Sequence, residues 1–468
     1  MEATPLAFAD RASAALDDPV LQTALAGIRT GWVAGRQRAA ERLPEFEALR
    51  DLGRDIKDHT LACLDLYLEA FEANVTACGG TVHWARDAAE ARVLVLELCR
   101  AAGARTVTKS KSMISEEIGL NPFLEAHGIV PVETDLGEYI LQIAGQPPSH
   151  IVGPAIHMTK DAVADLFARH HGGERRETAA DLVAEARRIL RERYLAADVG
   201  ITGANFLVAE TGSVVTVTNE GNAELTQGLP RTHIVIASLE KLVPTMADAF
   251  TLLRLLARSA TGQEFSAYTT VLTGPKRPGD RDGPEAFHVV LLDNGRTQML
   301  GSELRAMLRC IRCGACMNHC PVYLAAGGHA YGWVYPGPMG SVLTPQLVGI
   351  ERAWPLPNAS TFCGRCEEVC PVRIPLPGLM RFWREEQFRR RLVPPTARHG
   401  LKLWGFLARR PVLYRLVTGI AARLLAKLAR GGRLAKLPLA EGWTATRDLP
   451  APQGRTFMSQ WRARGGHR

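Results

Sequence analysis

The chain has 468 residues, of which 46% are hydrophobic and 22% are charged, a composition typical of a soluble globular protein with two or three domains. Its apolar stretches are far shorter than the ~20 residues that a membrane span needs, and its first residues lack the order of a secretory signal. These features exclude a membrane-spanning protein and favour a cytoplasmic location, where cysteines serve as metal ligands rather than in disulfides.

Residues 1–59 are rich in Ala, Leu and charged residues and are predicted to form an N-terminal helical segment. Residues 60–295 alternate between strand-like and helix-like stretches, which predicts an α/β domain with a mainly parallel sheet. The predicted strands are Thr106–Thr108, Val130–Thr134, Ser149–Ile151, Phe206–Glu210, Val214–Thr218, His233–Ser238 and His288–Leu292. The predicted helices include Asp87–Ala102, Ile114–His127 and Thr178–Tyr194. A Thr-Gly-Ser turn at residues 211–213 predicts that the strands on either side of it form a hairpin.

Several polar residues of this domain are candidates for a catalytic or substrate-binding site. Lys109 and Lys111 follow a predicted strand, and Ser112 could cap the next helix, an arrangement that favours an anion such as a carboxylate. Possible bases follow at Glu133, Asp135 and Glu138, and a further polar group surrounds the hairpin at Asn205, Glu210, Asn219 and Glu220. The same residues could instead serve turn geometry or a solvated helix start.

Other residues of the α/β domain give weaker signals. His150, His157 and His233 lie in strand-like contexts and are interpreted as packed or surface residues. Cys63, Cys78 and Cys99 are isolated and are interpreted as small buried residues. No Gly-x-Gly-x-x-Gly follows a strand, so a nicotinamide or flavin site of Rossmann type is not supported.

A cysteine-rich region follows a Gly- and Pro-rich boundary near Gly274–Pro284 and is predicted to be an α-helical, ferredoxin-like domain over residues 296–395. Its first run, Cys310, Cys313, Cys316 and Cys320 with Pro321, has the C-x2-C-x2-C-x3-C-P spacing of bacterial ferredoxins. Three thiolates on one tight loop, which Gly314 permits, can reach three irons of one cubane cluster. In two-cluster proteins the fourth cysteine binds the other cluster.

The second run repeats this spacing at Cys363, Cys366 and Cys370, with Ser360 in place of its first cysteine. Crossed ligation then predicts two clusters: a 4Fe-4S cluster on Cys310, Cys313, Cys316 and Cys370, and a second one on Cys320, Cys363 and Cys366. The second could be a 4Fe-4S cube with water, Ser360 or a substrate as fourth ligand, a 3Fe-4S cluster, or a labile cube that loses an iron on oxidation. Zinc is the alternative metal, but seven cysteines with two Cys-Pro endings fit it poorly.

The C-terminal region, residues 396–468, carries 15 Lys or Arg residues against two acidic residues, whereas the whole chain has a net charge of +8. Apolar residues recur at helical spacing over Leu401–Leu434, and Leu437–Trp461 is predicted to be extended. This basic tail could bind an acidic partner subunit, lie on an anionic membrane at its inner face, or pack on its own domain. Nucleic acid is disfavoured because few aromatic residues are interleaved with the basic ones.

Several motifs of the α/β region resemble those of a known family. They are Thr108–Leu120, Glu133–Tyr139, Pro148–Ile151, Pro154–His157, Gly203–Phe206, Ala209–Ser213, Thr218–Asn222 and Glu240–Pro244. Together with the cysteine runs and the closing Gly442-Trp443-Thr444 and Arg447–Pro450, they resemble the lactate utilization protein B family over nearly the whole chain from about residue 50.

The resemblance implies an α/β domain similar to the sugar-isomerase and CoA-transferase superfamily. It also implies a role in oxidising L-lactate to pyruvate with two partners, a Cys-rich subunit and a second α/β subunit, and with a quinone-linked or other acceptor. Lactate oxidation needs an anion binder, a base and an acceptor for two electrons. The polar residues of the α/β domain could supply the first two. The alternatives are an electron-transfer adaptor for another 2-hydroxy acid such as glycolate, and a non-redox α/β enzyme whose clusters only brace the fold.

Overall fold

The computed structural model describes residues 2–437, 444 and 447–465, and the chain divides into two compact units, residues 1–387 and 388–468. The strands of the first unit are β1 Thr81–Ala85, β2 Thr106–Lys109, β3 Val130–Glu133, β4 Val199–Thr202, β5 Phe206–Val208, β6 Ser213–Thr218, β7 Thr232–Ser238, β8 Leu242–Val243, β9 Tyr268–Leu272 and β10 Ala286–Leu292. Six of them form a parallel sheet in the order β1-β10-β7-β4-β2-β3, which confirms the predicted α/β architecture.

Helices cover both faces of the six-stranded sheet. On one face, Val95 and Leu124 pack against Val107 and Ile201; on the other, Phe71 packs in a cluster with Val289. Because β7 is buried on both faces, its central residues, Ile234 to Ala237, are a continuous apolar run rather than an alternating pattern.

The remaining four strands form a second sheet in the order β8-β5-β6-β9. Strands β5 and β6 are antiparallel, with Phe206 opposite Val215, so the predicted hairpin is confirmed. Gly212 in its turn has a φ of 67°, and a Cβ there would lie 2.5 Å from the backbone nitrogen of Val75. Only glycine meets both demands without strain.

The α-helices assigned to the first unit are Phe8–Leu16, Pro19–Ile28, Ala34–Glu41, Phe46–Ala62, Leu64–Ala77, Ala88–Ala101, Met113–Glu117, Leu120–Ala126, Leu136–Ala144, Lys160–His171, Ala179–Leu195, Asn222–Gly228, Met246–Ala260, Arg296–Leu300, Ala315–Asn318, Tyr323–Ala326, Gly337–Val348, Ile350–Ala353, Arg365–Glu368 and Leu376–Arg389. A π-helical turn, Arg29–Val33, follows the second of them. Side chains of Asp87, Asp135 and Thr178 cap the helices that they precede.

Two predicted elements differ from the structure. Ser149–Ile151 is a loop rather than a strand, because Ser149 donates both its backbone N–H and its hydroxyl to the carbonyl of Pro154 within the same loop. The predicted helix Ile114–His127 is two helices, since Gly119 between them has a φ of 64°. Strands β1, β4, β8 and β9 lie outside the predicted strands.

The second unit contains the helices Pro395–Ala408, Pro411–Leu428 and Phe457–Ala463, and a two-stranded ribbon of β11 Arg433–Leu434 with β12 Leu449–Pro450. The first two helices cover most of the stretch that the sequence predicts to be helical. The prediction of an extended end is wrong from Phe457 on, where the Thr456 side chain caps a helix. Residues 438–443, 445, 446 and 466–468, which include Gly442 and Trp443 of the closing motif, lie outside the described residues. No helix among the described residues has the length and hydropathy of a membrane span.

Candidate functional site

A cavity of about 530 Å³ lies at the carboxyl edge of the six-stranded sheet. Residues that follow four neighbouring strands line it: Ser110 and Lys111 after β2, Asp135 after β3, Gly203 after β4, and Ser238 at the end of β7. In open α/β sheets this edge is where ligands bind, because the strand ends and the following loops converge there.

Three other parts of the first unit complete the cavity wall. The open end of the hairpin contributes Asn205 and Asn219, and the loop 151–156 contributes apolar groups beside Trp32. The cysteine-rich region contributes Arg312 and Cys313. The cavity is therefore bounded by both the α/β and the cysteine-rich parts of the chain.

Two carboxylates and one lysine form a polar group on this wall. Lys111 Nζ lies 3.2 Å from Asp135 Oδ2 and donates to the carbonyl of Val152 at 2.9 Å. Glu220 Oε2 accepts from the backbone N–H of Leu136 at 2.9 Å. Burial, and then the charge of Asp135, raises the pKa of Glu220 above its ordinary value. A carboxylate with a raised pKa is suited to accept a proton near neutral pH.

Lys109, Glu133 and Glu138, also predicted as site residues, do not line this cavity. Lys109 is fully buried, and its Nζ lies 2.7 Å from Glu133 Oε1 and 3.1 Å from Glu116 Oε1. Burial, reinforced by the neighbouring charge of Glu133, raises the pKa of Glu138 well above its ordinary value. Glu138 is itself buried, and neither of its carboxyl oxygens has a hydrogen-bond partner among the described residues.

The four hairpin residues divide between the two ends of the hairpin. At the open end, Asn205 Oδ1 accepts from the N–H of Val217 at 2.9 Å, and Asn219 Oδ1 accepts from the N–H of Ala267 at 3.0 Å. Glu210 lies at the opposite end, exposed, where it accepts from the N–H of Met246. Glu210 therefore does not line the cavity.

The three histidines are packed residues, as their sequence contexts indicate. His150 Nε2 pairs with Asn318 Oδ1 at 2.9 Å, His157 Nδ1 with Ser149 Oγ at 2.7 Å, and His233 Nε2 with Thr202 Oγ1 at 2.8 Å. Burial lowers the pKa of His150 and of His157 to about 4 and that of His233 to about 3, so all three are neutral at physiological pH.

Two cations that line the cavity, Lys241 and Arg312, are not among the predicted catalytic residues. Lys241 lies three residues beyond β7, and burial, followed by the charge of Arg312, lowers its pKa to about 8. Arg312 lies 3.2 Å from Glu240 Oε1 and stacks over Tyr335, with its guanidinium carbon 4.7 Å from the ring centre. The predicted strand His233–Ser238 could have identified Lys241, because residues that follow this strand lie at the carboxyl edge of the sheet, where the cavity is.

The seven cysteines of the two runs fall into two groups. Cys310, Cys313, Cys316 and Cys370 line a second, small cavity among apolar side chains such as Ile151 and Val372. Burial, then the neighbouring thiol of Cys370, raises the pKa of Cys313 to about 12. Four thiols facing one cavity fit a cubane cluster, and Cys313 lines both this cavity and the larger one.

The second group comprises Cys320, Cys363 and Cys366, of which Cys363 is exposed. Burial, then the thiol of Cys320 and later that of Cys363, raises the pKa of Cys366 to about 12. Ser360 Oγ accepts from the N–H of Phe362 at 3.1 Å. This three-cysteine set is the one that crossed ligation predicts.

The two cysteine loops repeat the same strained backbone. Arg312 and Phe362, each directly before a cysteine, have φ values of 61° and 54°, and Gly314 and Gly364, each directly after it, have φ values of 75° and 80°. A non-glycine residue in the left-handed region costs of order 1–3 kcal/mol and is concentrated at functional sites. All ten cysteines are free, so none of the seven cysteines of the two runs is used in a disulfide.

Comparisons with known proteins agree with this geometry. Family models match the LUD domain over residues 68–292, a 4Fe-4S dicluster domain over residues 306–374, and the C-terminal domain of lactate utilisation protein B over residues 394–466. The chain is 45% identical to a lactate utilization protein B of Geobacillus kaustophilus, over 97% of this chain and 96% of that protein. It is 42% identical to YkgF of Escherichia coli, described as an electron transport protein, over 97% of this chain and 95% of that one.

A solved structure, that of a DUF162 family protein from Deinococcus radiodurans, matches 49% of this chain and 98% of its own at 13% identity, with a TM-score of 0.29.

Proposed function

This chain belongs to the lactate utilization protein B family, and we propose that it is the iron–sulfur electron-transfer subunit of a complex that oxidises L-lactate to pyruvate. The 4Fe-4S dicluster domain supports an electron-transfer role, as does the description of the Escherichia coli relative. The two other subunits that the resemblance implies, one rich in cysteine and one with an α/β domain, complete the proposed complex.

The observation that carries the proposal is the position of Cys313. Its side chain lines both the large cavity at the sheet edge and the small cavity that all four cysteines of its group share. A molecule bound in the large cavity therefore lies against a cluster ligand. An α/β enzyme with purely structural clusters has no need of this adjacency.

The residues of the large cavity suit a small hydroxy acid. We assign Lys241 and Arg312 to the substrate carboxylate, since both are cations on the wall that carries Cys313. We assign Glu220 to the hydroxyl proton, because burial and the charge of Asp135 raise its pKa. Lys111 pairs with Asp135 and holds that second carboxylate in place.

The proposed reaction removes two electrons and two protons from lactate and gives pyruvate. Glu220 takes the hydroxyl proton, the Cα–H bond breaks with its hydrogen released as a proton to solvent, and the carbonyl C=O bond of pyruvate forms as the two electrons leave one at a time. Each iron–sulfur cluster, when bound, accepts and releases electrons one at a time, so two clusters match a two-electron oxidation. Cys310, Cys313, Cys316 and Cys370 would hold the first cluster and Cys320, Cys363 and Cys366 the second. Cys320 and Cys366 are buried but Cys363 is exposed, which supports access of a partner or a quinone-linked acceptor to the second cluster from the side of Cys363.

Turnover in the assembled complex tests this function. With both partner subunits present and oxygen excluded, the wild-type chain should support pyruvate formation from L-lactate, and Cys313→Ser should abolish it. Full activity of Cys313→Ser after loss of its cluster would contradict the proposal and favour the non-redox α/β enzyme. Faster turnover of glycolate than of L-lactate in the same assay would favour the adaptor for another 2-hydroxy acid.

We also propose that the second unit binds to the inner face of an anionic membrane. From Pro395 to Leu437 it carries Lys and Arg but no Asp or Glu, and Leu403, Trp404 and Leu416 are exposed on its helices. Basic residues beside exposed apolar ones are typical of helices that lie in a membrane interface. The full chain should sediment with vesicles that contain phosphatidylserine and not with neutral vesicles; equal recovery in both supernatants would contradict this and favour an acidic partner subunit.

A further inference from the structure

Tyr331 has a buried hydroxyl group without a hydrogen-bond partner in the described part of the chain. Its side chain is fully buried, with 0% of its surface exposed. The other fully buried tyrosines of this region do have partners: Tyr323 donates to the carbonyl of Ser149 at 2.8 Å, and Tyr335 donates to Glu117 Oε2 at 2.6 Å. Tyr331 is therefore the exception within this aromatic group.

An unpaired hydroxyl at this depth is costly. Leaving a buried donor unsatisfied costs about 1–3 kcal/mol, and most buried polar groups in native proteins have a partner. Phenylalanine would fill the same space without that cost. The hydroxyl of Tyr331 thus points to an acceptor that the protein atoms alone do not provide.

The surroundings of Tyr331 identify this acceptor. Its ring packs edge-on against Phe8, with ring centres 5.2 Å apart, and lies 6.3 Å from the ring of Tyr323. Burial, followed by the thiol of Cys320, the hydroxyl of Tyr323 and the thiols of Cys316 and Cys366, raises the pKa of Tyr331 well above its ordinary value. Cys320, the foremost of these thiols, and Cys366 belong to the second cysteine group, whereas Cys316 belongs to the first. A phenol beside these thiols keeps its proton and has sulfur as the nearby acceptor.

We propose that the Tyr331 hydroxyl donates a hydrogen bond to a sulfur of the second cluster, the one held by Cys320, Cys363 and Cys366. This inference rests on the proposed cluster ligands but not on the identity of the substrate. Hydrogen bonds to cluster sulfurs stabilise the more negative, reduced state and so raise the reduction potential. Tyr331 therefore adjusts the reduction potential of the second cluster and does not bind its iron. The iron without a cysteine ligand is bound by another group.

A redox titration of the anaerobically purified chain, followed by spin-resonance spectroscopy, tests the proposal. Tyr331→Phe removes only the O–H group and should lower the midpoint potential of the second cluster, while the first cluster and the iron and sulfide content per chain stay unchanged. Tyr323→Phe is the matched control: it also loses a buried hydroxyl, but one that already donates to Ser149, so neither potential should shift.

Two outcomes would overturn the proposal: an unchanged potential of the second cluster in Tyr331→Phe, or loss of iron from that cluster, which would make Tyr331 a ligand instead. If Tyr331→Phe fails to fold, a measurement on the wild-type protein can still test the hydrogen bond. Electron–nuclear double resonance on its reduced second cluster should show a coupled proton that exchanges in D2O, and absence of this proton would refute the hydrogen bond. None of these measurements uses lactate, so their failure is distinct from failure of the proposed function.

Discussion

At the scale of single residues, Glu220 carries the proposed acid–base chemistry of the cavity. Glu220→Gln keeps an acceptor for the N–H of Leu136 but cannot take a proton, so activity with L-lactate should fall about 10²- to 10⁴-fold in kcat. Because its pKa is raised, the wild-type carboxyl keeps its proton to a higher pH than usual, and activity should fall as the pH drops through that raised pKa. The residual activity of Glu220→Gln should lack this acidic limb.

Glu210→Gln is the control for this prediction, since Glu210 lies at the exposed turn of the same hairpin and outside the cavity. A full kcat in Glu220→Gln, or an acidic limb that persists in it, would contradict the assigned role.

Lys241 gives a second prediction at this scale. Lys241→Met keeps the length of the side chain but removes a cation from the cavity wall, and a hydrogen bond to a charged group contributes about 1.5–3 kcal/mol. The KM for L-lactate should therefore rise roughly ten- to 100-fold. Lys160→Met, at an exposed residue outside the cavity, should leave KM unchanged. An unchanged KM in Lys241→Met would place the carboxylate elsewhere.

Ser360 decides between the three alternatives for the second cluster. Ser360→Cys restores the cysteine missing from the ferredoxin spacing and should make that cluster keep all four irons in air, as measured by iron and sulfide analysis. Ser360→Ala tests the hydroxyl itself: iron loss even without oxygen would identify Ser360 as the fourth ligand. If wild type and Ser360→Cys lose iron in air equally, the restored thiol does not complete the site.

Sequence reasoning located the cavity residues only in part, for a physical reason. Lys111, Asp135, Asn205, Asn219 and Glu220 do line the cavity, because residues that follow parallel strands meet at one sheet edge. Lys109 shares the same sequence neighbourhood as Lys111, yet its side chain is buried in an ion cluster. Whether a polar side chain faces a cavity or a buried partner depends on contacts that are remote in sequence, which spacing alone does not reveal.

At the scale of elements, the hairpin turn is held by its contact with the helix Leu64–Ala77. Gly212→Ala should destabilise the protein by more than the about 1–2 kcal/mol that a left-handed residue costs, because the new Cβ would also meet backbone 2.5 Å away at Val75. Gly103→Ala is the matched control, with the same φ of 67° and no atom within 4 Å of the added Cβ. Equal losses in the free energy of unfolding of the two variants would show that the close approach does not matter.

The elements that sequence patterns missed share a physical cause. Strand β1, with the sequence TVHWA, is buried only at Ala85 and exposes Trp84, and β9 has no buried residue, so the burial of neither strand follows its sequence pattern. Ser149–Ile151 has the composition of a strand, but its backbone bonds locally to Pro154. Where hydrogen-bond partners are local or the burial is uneven, composition is a poor guide to strands.

At the scale of the whole molecule, the family motifs and the cysteine spacing predicted more than periodicity did. The parallel sheet, the LUD domain and the 4Fe-4S dicluster domain all follow the order expected from the sequence. The similarity to the sugar-isomerase and CoA-transferase superfamily and the boundaries at residues 59, 295 and 395 stay predictions. The shared wall at Cys313 could not be predicted, because about 200 residues separate Cys313 from Lys111 in the chain and only the fold brings them to one cavity.

The measurement that tests the central claim most directly is spin-resonance spectroscopy of the assembled complex after anaerobic mixing with L-lactate. If electrons enter the chain at the cavity beside Cys313, signals of reduced clusters should appear with the wild-type chain and be strongly diminished with Glu220→Gln. Formation of pyruvate while both clusters stay oxidised throughout turnover would contradict the account.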